Sequence, residues 1–232
     1  MAFGITLVTN VLTFARELAD RTLHRLREEA DPFPVDWRTV LSYAPYYAAF
    51  NTYVGARQRW AASQECPAVR EFDRRVRDMV PCERRNFVLF VIYQLSCERD
   101  RRDHAYYCTV YQLLQRLLKF PLWEEEHEMI YLGRAFLRFV PREHPRLMYW
   151  PLGEYLDQVA AFRAAARPGE RPPARSHLGS TEELLSELLA RLGPEATFGY
   201  NLEISRWRSL LEEMLAGQPA PASGGAPLRL AA

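Results

Sequence analysis

The chain has 232 residues, 48% of them apolar and 25% charged, which suits one large soluble domain or two small ones. Such a chain buries about 70% of its unfolded surface and needs no disulfides. A net charge of +1 excludes whole-molecule attraction to nucleic acid or anionic membrane. Lys119 is the only lysine, so nearly all positive charge is arginine, the residue suited to bidentate contacts with carboxylates and phosphates.

In chain order, Ile5, Val8, Leu12, Ala15, Ala19, Leu23 and Leu26 fall at steps of three and four and predict one face of a long first helix, ended by Asp31-Pro32 and Pro34. The segment MAFGITLVTNVLTF lacks a basic n-region and a cleavage site, so no signal peptide is expected. Cys66, Cys82, Cys97 and Cys108 are then expected as reduced thiols in an intracellular, soluble protein. A short helix is expected over Trp37 to Tyr43, and Pro45 opens the next, to about Ala62. There Tyr46, Phe50, Tyr53 and Trp60 form an aromatic core stripe, backed by small Ala48, Ala49, Gly55 and Ala56. Pro67 starts a helix through Met79, and Pro81 a strongly apolar one, RNFVLFVIYQLSC, to about Arg99. Asp103 caps a helix to Lys119, Pro121 opens one closed by Pro141, and Pro145 starts one to Ala166 with a candidate interruption at Pro151.

The stretch RPGERPPARSHLG reads as a linker, and Ser180-Thr181-Glu182-Glu183 as a capping box in which hydroxyl and carboxylate reciprocally accept amide hydrogens. Helices follow at about Thr181–Leu192 and Glu195–Leu215. These divisions predict a main α-helical domain over 1–166, a linker over 167–180, a C-terminal hairpin over 181–216 packing on the main domain, and a disordered tail over 217–232. The fold class is all-α: antiparallel helical hairpins, arranged either as a HEAT-like solenoid stack, given a spacing near 40 residues, or as a multi-helix bundle.

Three constellations bear on function. Glu124 stands three residues before His127, the Glu-x-x-His spacing of some metal-holding bundles. On a helical wheel Met129, Leu132, Phe136, Phe139 and Val140 define the buried face, and His127 and Glu124 point away from it. The acids suit the first turn of a helix opened by Pro121, and no metal or other cofactor is expected. His104 and Cys108 lie four apart with Cys97 across a turn, one short-spaced pair where zinc needs two. Whether the three converge is left open.

Arg70, Arg74 and Arg77 make a stripe opposite Phe72, Val76 and Met79, followed by Arg84, Arg85, Arg101 and Arg102. Between Arg57 and Arg102 there are 11 arginines and 7 acids, the least uniform charge on the chain. These seven arginines are the candidate partner-binding residues.

The stretch YLGRAFLRFV, Tyr131 to Val140, resembles over ten residues the Gly-Arg turn and following apolar helix of Bcl-2-type apoptosis regulators. That family has a tryptophan before the glycine and a long central helix after it. Leu132 precedes Gly133 here and Pro141 stops the helix within two turns, so membership is not assigned.

The expected function is a non-catalytic α-helical scaffold or adaptor that binds another protein through an inter-helix groove or concave face. The alternatives are a helical enzyme or ligand binder whose site assembles only in three dimensions, and a nucleic-acid binder using the Arg70–Arg102 patch.

Overall fold

The computed structural model describes residues 2–28, 33–55, 67–97, 104–139, 145–165, 177–192 and 201–216. These form ten helices and no strand: α1 (Ala2–Glu28), α2 (Trp37–Leu41), α3 (Ala44–Gly55), α4 (Pro67–Asp78), α5 (Pro81–Cys97), α6 (His104–Leu118), α7 (Glu126–Phe139), α8 (Pro145–Ala165), α9 (Thr181–Leu192) and α10 (Asn201–Ala216). The all-α class expected from helical periodicity and proline punctuation is the observed one.

The core is built around α5. Every residue from Phe87 to Leu95 is buried, so this part of the helix has no solvated face and its apolar run carries no period. Its rings leave it in different directions. Phe87 packs on Tyr43 at 5.5 Å between ring centroids and on Phe72 at 6.1 Å. Phe90 meets Tyr47 at 5.5 Å, and Tyr93 meets Trp37 at 4.8 Å and Phe139 at 5.3 Å. Burial of one such ring contributes about 1.5–3 kcal/mol, so α5 organises the elements around it.

α1 lies against α3, whose Ala44 and Ala48 are buried as a small face allows. The expected rotation of α1 needs correction. Ala15, Leu18 and Thr22 are buried, whereas Leu12 and Leu23 are 56% and 36% exposed. The helix is turned toward a polar contact that hydropathy does not register. Thr22 Oγ1 donates to the Leu18 carbonyl at 2.8 Å and accepts from Gln94 Nε2 of α5 at 2.7 Å. Both polar side chains are thereby satisfied inside the core.

Two proline expectations also change. Pro121 does not open α7, which starts at Glu126. The preceding connector stays non-helical because Leu122 and Trp123 are buried, and the Pro121 and Leu122 carbonyls accept from Arg84 and Arg85 at 3.0 Å each. α8 runs through Pro151 without interruption. Its first helical residue is Pro145, where a missing N–H costs nothing.

α9 packs on α7, α10 packs on α8, and α9 and α10 pack on each other. The expected capping box is present: Glu183 N donates to Ser180 Oγ at 3.2 Å and Ser180 N to Glu183 Oε2 at 3.0 Å. Thr181 Oγ1 donates to Glu126 Oε1 at 2.5 Å, Arg134 pairs with Glu187, and Arg134 Nε donates to the Leu178 carbonyl at 2.9 Å. Gly153 admits the Trp207 indole of α10 where any side chain would collide with it. Of the expected linker, residues 167–176 lie outside the described residues, as does the expected tail, 217–232.

Candidate protein interface

The seven candidate arginines occupy different environments. Arg70, Arg74 and Arg77 are exposed on α4, with Phe72 and Val76 buried on the opposite face and Met79 half-buried just beyond the helix. This is the rotation expected from the apolar spacing. Arg101 and Arg102 lie outside the described residues.

Arg84 is only 6% exposed. Its Nε donates to the Pro121 carbonyl at 3.0 Å, and its Nη1 donates to Val76 O at 3.2 Å, to Arg77 O at 3.4 Å and to Met79 O. The guanidinium carbon lies 5.4 Å from the centre of the Phe120 ring. Val76 and Arg77 stand in the last turn of α4, where carbonyls lack intrahelical donors, and Arg84 supplies them. Burial lowers its affinity for the proton from the ordinary arginine value, and it stays a cation.

Arg85 is also turned inward. Beyond its bond to Leu122 O, its Nη2 pairs with Glu128 Oε1 at 2.9 Å, the two side chains being 12% and 21% exposed. The other Glu128 oxygen accepts from the Glu124 and Glu125 amides at 2.9 and 3.3 Å, which caps the start of α7. Burial alone would raise the Glu128 carboxyl, but those amides and Arg85 hold it below its ordinary value.

On α4 the positive charge is partly neutralised in place. Arg74 donates to both oxygens of Glu71, at 2.9 Å each, and to Asp78 at 2.8 Å; Arg75 donates to Glu71 at 2.9 Å. These bonds, Arg74 first and then Arg75, lower the Glu71 carboxyl to about 2. All the groups are solvent-exposed, so the ladder contributes little to stability and serves to hold guanidinium planes in place. Arg70 and Arg77 extend the face at either end. Beyond α4 stands Val80, 52% exposed, followed by exposed Cys82 and Glu83. An apolar side chain rimmed by charge is small-scale interface anatomy. Nothing local in the sequence marks Val80 as exposed: it sits between half-buried Met79 and Pro81 at the α4–α5 corner.

The other constellations stay apart from this face. His127 is exposed, as the wheel predicts, and its Nδ1 lies 3.0 Å from Glu125 Oε2, itself exposed. Glu124 is exposed as well. Among the described residues no group of three or more His, Cys, Asp or Glu is placed to hold a metal ion. The side chains of Cys97, His104 and Cys108 lie outside the described residues. A crevice between α7, α8 and α9, lined by Phe136, Leu137, Leu152, Leu188 and Arg191, has a volume of about 10 Å³, room for a single water. No described helix is long and apolar enough to cross a membrane.

Compared with known proteins, the chain matches no family model, no curated protein and no solved structure.

Proposed function

We propose that the chain is a non-catalytic, intracellular α-helical scaffold that recognises another protein, and that the contact is centred on the exposed face of α4 and the corner at Val80. The observation that carries this reading is the exposed apolar Val80 beside the arginine ladder, with Arg74 and Arg75 held in place by Glu71 and Asp78. Arginines already ordered by their own acids lose less side-chain freedom when they meet a carboxylate-bearing partner. The succession of packing partners supports a stack of hairpins. α5, α7 and α9 follow one another along one row and α6, α8 and α10 along the other. In this reading residues 1–166 form the main domain and 181–216 a C-terminal hairpin continuing it.

The test is affinity purification from the native cell of the wild-type chain and of a variant carrying both Arg77→Glu and Val80→Asp, each eluate analysed by mass spectrometry and tested for nucleic acid. A stoichiometric protein present with the wild type and lost from the folded variant supports the proposal. A clean monomer carrying a small molecule, or retention of nucleic acid that falls steeply with salt, overturns it.

A further inference from the structure

The long first helix has an apolar edge that the described residues leave uncovered. Leu12 and Leu23 are 56% and 36% exposed, lie about three turns apart, and so share one side of α1 about 16 Å apart. Between them are the half-buried Ala19 and the pair Arg16–Asp20, whose atoms are 4.0 Å apart with side chains 86% and 70% exposed. That pair is long and solvated, so both groups are available for other partners.

We infer that this edge binds the same edge of a second copy of the chain, with the two α1 helices antiparallel about a twofold axis. The charge order selects this occupant. When Leu12 is set level with Leu23 of a second copy, Arg16 comes within one residue of the level of Asp20 of that copy, on the same flank of the contact. The twofold axis repeats the match, which gives two leucine–leucine contacts and two opposite-charge pairs from a single patch. Ala19 near the centre allows the helix backbones to approach. A parallel pairing would instead set Arg16 against Arg16 and Asp20 against Asp20. The inference is independent of the α4 reading, because it uses a different helix and a copy of the chain itself.

Sedimentation of the full chain across a concentration series tests it. The wild type is expected to show a reversible monomer–dimer equilibrium. Leu12→Asp is expected to give a monomer whose unfolding temperature matches that of the wild type at concentrations where the wild type is itself monomeric. Arg16→Asp and Asp20→Arg each convert two attractions into two repulsions and are expected to weaken dimerisation about tenfold. In a mixture of these two variants, a chain with acids at both positions meets a chain with arginines at both. Dimerisation should then return to the wild-type level, an outcome that altered folding of either monomer does not produce. A wild type that stays monomeric at about 100 μM, or charge variants that dimerise like the wild type, overturns the inference.

Discussion

Replacing Arg84 by methionine tests the placement of the arginines most directly, because the aliphatic volume is kept and only the guanidinium is lost. The wild-type group makes two well-formed bonds to carbonyls, at 3.0 Å to Pro121 and 3.2 Å to Val76, and covers Phe120 at 5.4 Å. Hydrogen bonds from a charged donor contribute about 1.5–3 kcal/mol each, and a cation over a ring about 0.5–2 kcal/mol. Against this stands the cost of holding a cation at 6% exposure, which methionine removes. The net expectation is a loss of about 2–4 kcal/mol. In a chain of 232 residues that lowers the melting temperature by about 4–16 °C. Thermal unfolding followed by circular dichroism measures it, with Arg77→Met on exposed α4 as the reference, expected within about 0.5 kcal/mol of wild type. Arg84→Lys should recover only part of the loss, because one ammonium cannot span both Pro121 and the end of α4. Equal melting temperatures for Arg84→Met and Arg77→Met would refute the reasoning and return Arg84 to the surface.

Three further outcomes follow from the geometry. Gly153→Ala drives a methyl group into the Trp207 indole and should cost about 1–3 kcal/mol, seen as lowered protection of α10 amides in hydrogen exchange before α5 is affected. Ser180→Ala removes the acceptor for the Glu183 amide and should lower stability by about 1 kcal/mol in chemical denaturation, whereas Ser180→Asp should be close to neutral. Burial, and next the charge of Asp157, raise the Glu154 carboxyl above its ordinary value near 4.5. Its protonated form therefore favours the folded state: the contribution is complete below the unfolded value and lost as pH rises through the folded one. Glu154→Gln should accordingly raise the melting temperature at pH 7 and have no effect well below pH 4.5, and a pH-independent difference would assign the effect to packing.

What the sequence made legible was whatever a helix announces along its own length. The Ser180–Glu183 box, the proline starts of α4, α5 and α8 and the buried face of α7 over Met129–Phe139 all depend on residues within one or two turns, and each stands as read; Val140 lies outside the described residues. Rotation failed on α1, because its apolar arc is wider than the face it buries and because Thr22 enters the core to meet Gln94, far away in the chain. The Pro121 boundary failed for the same kind of reason. The carbonyls that hold the connector non-helical bond to Arg84 and Arg85 on another helix, and no local signal records that. The candidate interface divided accordingly. Arg70, Arg74 and Arg77 stand where the opposite apolar stripe implies, whereas Arg84 and Arg85 look identical in sequence and turn inward.

The near-absence of lysine acquires a physical use in this fold. Four arginines reach main-chain oxygens of elements distant in the chain: Arg84 to Pro121, Arg85 to Leu122, Arg134 to Leu178 and Arg191 to Leu137. The Leu137 carbonyl, like those of Val76 and Arg77, lies in the last turn of its helix and has no intrahelical donor. A planar fork with five donors can serve two such oxygens at once while its stem fills apolar space; a single ammonium serves them poorly. These four arginines thus act inside the molecule, joining helix ends to connectors. With a net charge of only +1, the proposed recognition rests on the local ladder of α4 around Val80 and not on the charge of the chain as a whole.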